Sequence, residues 1–240
     1  MGKKQKKGQI GAFICGFIIF VIFIFPLYWM VVTALKTQVE IFEIPTPLWP
    51  RNLSLDAFKA QLSASSDTLR GFKNSAIIAV GATIISTVLS IPASYGLARF
   101  RFRAKKVMIL FFLITQMLPS TLVLTSLYIM FSKVGLLNTY WAPILADATL
   151  GIPFSIIILR TYFLSIPKEL DEAANIDGAS SLQVFFKVTL PLLMPILVYT
   201  VITALIGGLQ MFDVPQVLTN GLGTPNRTST TLVMYLNNYL

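Results

Sequence analysis

The sequence predicts an all-α, polytopic transmembrane helix bundle, and three observations carry that reading. The 240-residue chain is 55% hydrophobic and only 12% charged, with a mean hydropathy of +0.74, whereas soluble domains carry about 25% charged residues. The apolar residues come in blocks long enough to approach the roughly 20 helical residues that a bilayer core requires. The basic residues cluster between those blocks, so the net charge of +9 reads as a mark of the cytoplasmic membrane face rather than of a nucleic-acid surface.

Five blocks are expected to span. The first is about 11–34, "GAFICGFIIFVIFIFPLYWMVVTA". Its basic lead "MGKKQKKG" is that of a signal peptide, but the apolar run is too long for an h-region and no clean small-x-small site follows, so it reads as a retained helix. The second block is about 74–98 and the third about 107–131, where Gln116 and Pro119 mark an expected kink. The fourth, about 140–160, contains Pro143, Gly151 and Pro153; the fifth, about 190–212, contains Pro191, Pro195, Gly207 and Gly208. These breakers are expected to interrupt both helices. They are tolerated in membranes where neighbouring helices or a water-filled cavity satisfy the freed backbone groups, so the helices read as bundled. Residues 229–240, "STTLVMYLNNYL", begin an apolar run that stops too soon to span: an outer amphipathic helix, or the start of a truncated sixth span.

Charge sets the orientation. With the N-terminus inside, the inner segments hold 12 of the 19 basic residues, and the dense loop "RFRFRAKK" between the second and third blocks decides the matter. The N-terminus and the segment between the fourth and fifth blocks are therefore expected to be cytoplasmic.

Much chemistry is excluded. There is no histidine, and the single Cys15 lies in an apolar run, so an intramolecular disulfide is impossible and zinc or haem has few candidate ligands. The phosphate-loop pattern G-x-x-x-x-G-K-[ST] is absent, so no ATP site is expected in this chain. No nucleophile–base pair is evident, which argues against an enzyme. Polar residues within or at the ends of the spans include Gln116, Asn138, Asp147, Thr149, Ser155, Gln210 and Asp213, and of these Gln116, Asp147, Gln210 and Asp213 are the candidates for lining a translocation path. An acid at membrane depth costs at least about 2.5 kcal/mol and is a functional candidate by default. Asp147, close to Gly151 and Pro153, is the foremost of them; alternatively it pairs with a neighbouring helix or sits near the outer interface.

The acidic residues are distributed unevenly. Of ten in the chain, Glu169, Asp171, Glu172 and Asp177 fall within nine positions of "ELDEAANIDGAS". Pro167 suits a first helical position, the carboxylates of the first turns favour the positive helix end, and Gly178 is a stop signal. Leu170, Ala173 and Ala174 form a narrow face of mostly small residues. The chain then restarts as "SSLQVFFKVTLPLLMP", with Leu182, Phe185 and Phe186 on one face. An acidic helix is repelled by anionic lipid, so two readings stand: a knob that docks into a basic groove of a cytosolic protein, or a solvated loop that caps the bundle.

The spacing Glu172-Ala173-Ala174, Gly178, Val188, Leu190, Pro191 resembles the EAA motif of permease subunits of binding-protein-dependent ABC importers, with valine for the usual isoleucine. Asp177 before the glycine is typical of the carbohydrate branch. The segments from Phe72 to Lys106 and from Met117 to Leu145, and the run from Phe212 to the end, resemble the maltose-type permeases as well. This resemblance implies a type I ABC importer permease fold with six helices in the native chain, of which five are present and the last is truncated. It implies a cytosolic ATPase dimer that binds the ATP and Mg, a second permease subunit, an extracellular or lipid-anchored solute-binding protein, and a sugar as cargo. Glu172, Ala173, Ala174, Asp177, Gly178, Leu190 and Pro191 would then form the joint to the ATPase. The outer segment from Lys36 to Arg70, or the loop "TNGLGTPNRTST", would meet the binding protein. A permease for an amino acid, phosphate or polyamine is the alternative; a secondary transporter would need an inverted repeat that is not visible.

Overall fold

A computed structural model describes residues 2–63, 67–219 and 230–239, and all its regular structure is helical. Much of the candidate outer loop 219–230, with its "NRT" triplet, lies outside the described residues. The chain divides into two compact units, Met1–Leu69 and Arg70–Leu240.

In the first unit, helix α1 (Gly2–Ala34) is basic over its first turns and apolar all round from Phe13, and no residue of its best spanning window is buried within the chain. Such a helix suits a lipid or helical neighbour on every side. The prolines after it do not leave an open loop. The segment beyond α1, with the short helices α2 (Gln38–Ile41) and α3 (Asp56–Gln61), folds back on the helix end. The Tyr28 hydroxyl donates to the Leu48 carbonyl at 2.6 Å, the Lys36 ammonium lies 4.6 Å from the Trp29 ring centroid, and buried Glu40 accepts from the Asn52 backbone and side chain at 2.9 and 3.1 Å.

The second unit is built on α4 (Asp67–Arg99), α5 (Lys105–Met117), α6 (Ser120–Lys133), α7 (Trp141–Ser165), α8 (Lys168–Ile176), α9 (Ser181–Val184), α10 (Leu190–Leu192), α11 (Met194–Leu209), α12 (Asp213–Leu218) and α13 (Leu232–Tyr239). One π-helical turn, Phe185–Thr189, joins α9 to α10. Helix α4 buries a stripe of small residues, among them Ser75, Ala79, Ala82, Ser86, Ser90 and Ser94. Small side chains at this spacing let neighbouring membrane helices approach closely. Two apolar clusters follow. One joins Ile78, Leu124, Phe131, Ile144, Met211 and Val214; the other joins Ala98, Leu159, Phe163, Ile166, Leu193 and Ile196. Along α4, α7 and α11 these clusters flank a polar middle.

Among the described residues, Phe13–Ala34, Asp67–Arg99 and Trp141–Ser165 are each long and apolar enough to cross a membrane. Two bent pairs meet the same criteria: Lys105–Met117 with Ser120–Lys133 at 101°, and Ser181–Leu192 with Met194–Leu209 at 72°. One break differs from those expected. Helix α7 runs unbroken through Gly151 and Pro153 for 25 residues, which corrects the expectation of an interrupted fourth span. Its backbone there is supported from outside: Gln116 Nε2 donates to the Leu150 carbonyl and the Ser90 hydroxyl to that of Ile152, both at 3.4 Å. The kink expected in the third block is a right-angle bend at Leu118–Pro119, and Pro191 and Pro195 flank the bend of the fifth, as their place in that block suggested.

Candidate functional site

The acidic stretch folds as a stop-and-restart. Pro167 is extended, with φ −57° and ψ 138°, and serves as N-cap rather than first helical residue; Glu169 and Asp171 then occupy the first turn of α8. The helix ends in a Schellman arrangement: Ala179 N–H donates to the Ala174 carbonyl at 3.0 Å, Gly178 N–H to that of Asn175 at 3.1 Å, and Gly178 has φ +84°. Only a residue tolerant of the left-handed region fits there. The restart is a capping box: Ser180 Oγ accepts from Gln183 N–H at 3.4 Å, and Gln183 Oε1 accepts from Ser180 N–H at 2.8 Å. Its signature, Ser-x-x-Gln, is plain in the sequence.

Glu172, Ala173, Asp177 and Gly178 are exposed, and Ala174 is half-buried. Beside them lies an open groove of 350 Å³ lined by Ala174, Asp177, Gly178, Gln183, Lys187 and Val188. Leu190 is half-buried against the second apolar cluster, whereas Pro191 is exposed. Leu182 and Phe186, expected on one face with Phe185, remain exposed; only Phe185 turns inward, with its ring 4.9 Å from that of Tyr95. The rings of Phe185 and Phe186 stay in edge-to-face contact with centroids 5.0 Å apart, at the start of the π-helical turn.

The acid that faces inward is Asp171. Its Oδ2 lies 3.0 Å from Arg99 Nη2, with side chains only 17% and 8% exposed, and its Oδ1 accepts from the Thr189 hydroxyl at 3.1 Å. Arg99 Nη1 donates to the Ile166 carbonyl at 3.2 Å. Sequence reasoning singled out Asp171 only for its place in the first turn. Its offset of three from Ala174, a member of the small-residue face, was the one hint in the spacing.

The candidate path residues do not converge. A cavity of 280 Å³ opens between α4, α7 and α11, lined by Thr83, Ser86, Asp147, Ser155, Thr200, Thr203, Gly151 and Gly207 among others. Asp147 therefore lies against this cavity. Gln116 is engaged with α7, Gln210 is exposed at the end of α11, and Asp213 is exposed at the start of α12. Of the hydroxyl residues on its wall, Ser155 was named among the polar residues of the spans, whereas Thr83, Ser86, Thr200 and Thr203 were not. The cavity wall brings them together, and the Thr83 hydroxyl is buried there without a hydrogen-bond partner.

Fold and site together define a multi-pass helical membrane protein that presents an acidic, small-faced helix to another protein or to solvent. Residues 86–239 match the family described as binding-protein-dependent transport system inner membrane component. The chain is 39% identical over 82% of its length to the probable ABC transporter permease protein YurM of Bacillus subtilis, of which it covers 64%. It is 32% identical over 82% of its length to the diacetylchitobiose uptake system permease protein DasC of Streptomyces coelicolor, of which it covers 71%. It is 35% identical over 60% of its length to the maltodextrin transport system permease protein MdxG of Bacillus subtilis, of which it covers 51%. The crystal structure of a bacterial ABC transporter involved in the import of the acidic polysaccharide alginate superposes on 99% of this chain and 81% of that one, with a TM-score of 0.84 at 21% identity. The chain belongs to the family of binding-protein-dependent transport system inner membrane components.

Proposed function

We propose that this chain is the membrane-spanning permease subunit of an ATP-driven ABC importer for a sugar or oligosaccharide that an extracellular solute-binding protein delivers. The observation that carries the reading is the Glu172-Ala173-Ala174…Gly178…Leu190-Pro191 series, displayed on an exposed helix, a glycine turn and a restart beside an open groove. An exposed short helix with alanines on its surface admits another backbone closely, and a helix moves as a body when its partner closes. In this reading α8 faces the cytosol with the N-terminus, ATP and Mg are held by a separate ATPase dimer, and a second permease subunit completes the path. The chain carries no catalytic step.

The cargo assignment draws on two supports. Relatives carry names for diacetylchitobiose, maltodextrin and galactooligosaccharide uptake, and the cavity at Asp147 is walled by hydroxyls that suit a hydroxylated solute. The amino acid, phosphate or polyamine alternative has no comparable support. The deciding experiment is purification of the tagged chain from its own membranes. The reading expects an ATPase to co-purify whose turnover rises with a sugar-loaded binding protein; turnover indifferent to any binding protein would overturn it.

A further inference from the structure

We infer that Asp171 is a positioning residue that locks helix α8 to two membrane helices at once, so that a force on α8 reaches α4 through Arg99 and the α10–α11 limb through Thr189. This rests on the reading of α8 as the helix that an ATPase grips.

Helix α8 has nine residues, none of them fully buried. A helix so short is not stable alone in water, where about 12 residues or more are needed even for favourable sequences. Apolar packing is weak as well, because Leu170 is 43% and Ile176 86% exposed. What ties α8 to the rest of the molecule is therefore polar, and it is concentrated at one carboxylate. One Asp171 oxygen meets the Arg99 guanidinium at the end of α4, and the other accepts from Thr189, which is wholly buried in the π-helical turn. The same guanidinium donates to Ile166, two residues before α8 begins. Four elements thus meet at two charges screened from water. A planar fork can serve a carboxylate and a carbonyl together; the single ammonium of a lysine cannot hold both in that geometry.

The π-helical turn adds a second reason. π-Bulges carry a looser backbone ladder and recur at functional sites. Here the turn lies between α8's anchor and the 72° bend that leads into α11. Without Thr189 on Asp171, α8 could move while that limb stays behind.

The test uses the assembled complex purified through this chain, with Cys15→Ser and spin labels at Ile176→Cys on α8 and Phe100→Cys just past α4, both exposed positions. The expected result is one narrow label-to-label distance, the same without nucleotide and with MgATP and vanadate. Asp171→Ala should broaden that distance and lower ATPase capture about tenfold, as the docking-competent fraction falls. A distance as narrow in Asp171→Ala as in the parent overturns the proposal. Should that variant not accumulate, Thr189→Val and Arg99→Lys carry the same readout, and an unchanged distance in both overturns it. Glu172→Lys, on the outer face, separates the underlying reading: it should abolish ATPase capture with the distance still narrow. Undiminished capture by Glu172→Lys would remove the ATPase-facing role of α8 itself.

Discussion

The Tyr140 hydroxyl donates to Asn74 Oδ1 at 2.8 Å, joining the start of α7 to the first buried turn of α4. Asn74 Nδ2 donates in turn to the Thr230 carbonyl at 3.1 Å, and the neighbouring Ser75 hydroxyl accepts from Leu232 N–H at 2.8 Å. The adjacent Asn-Ser pair thus fastens the chain leading into α13 to the head of α4. Asn74→Ala would leave the half-buried Tyr140 hydroxyl and Thr230 carbonyl without this partner, at a cost of up to about 1–3 kcal/mol each. We expect a lower melting midpoint in detergent, with Tyr140→Phe milder because only one bond is lost.

Two adjacent glycines should respond differently to the same substitution. A Cβ on Gly208 would lie 2.8 Å from Ala79 Cα and 2.9 Å from Ala79 Cβ, inside the small-residue contact between α11 and α4. A Cβ on Gly207 meets nothing within 4 Å. Gly208→Ala should therefore destabilise the bundle by about 1–3 kcal/mol through overpacking, while Gly207→Ala leaves stability near the parent's. Thermal unfolding of the purified variants measures both.

At Gly178 the constraint is the backbone, because a Cβ there would be in open space while φ is +84°. Gly178→Asn keeps a residue that visits the left-handed region; Gly178→Val costs about 1–2 kcal/mol more. Gly178→Asp adds a charge beside Asp177 at nearly the same backbone cost as asparagine. We expect Gly178→Asp to uncouple uptake while membrane levels hold, and Gly178→Asn to retain more uptake. Comparing the two separates charge from strain; normal uptake by Gly178→Asp would count against the coupling role of the segment.

Asp147→Asn removes the formal charge from the hydroxyl-walled cavity without changing its volume. The neutral amide costs less to insert at membrane depth than the charged carboxylate, so the amount of chain in the membrane should hold or rise. If Asp147 touches cargo, uptake falls at the same time. Equal uptake per unit of inserted Asp147→Asn would dismiss it from the path.

The acidic segment was the most legible part of the site. Gly178 as the stop and an acidic first turn before it are written in residue types and close spacing, and the structure reproduces them with Pro167 displaced by one position. The expectation for α7 failed because proline and glycine are tolerated inside a membrane helix that is packed among neighbours. Ser90 and Gln116 reach α7 from helices distant in sequence, and no local pattern announces that. Of the four path candidates only Asp147 lines the cavity, because a lining position depends on three helices at once.

By itself the sequence determined the membrane class, the places of the apolar blocks and the stop at Gly178. Composition, hydropathy and capping act over a few turns of one helix, so they can be read without knowing what packs nearby. Only the tertiary structure decided which acid of "ELDEAANIDGAS" turns inward, where the spans bend, and where a polar cavity opens. Asp171 pairs with Arg99 across 72 positions of chain at 3.0 Å, and burial of that kind belongs to the assembled helices, not to either segment.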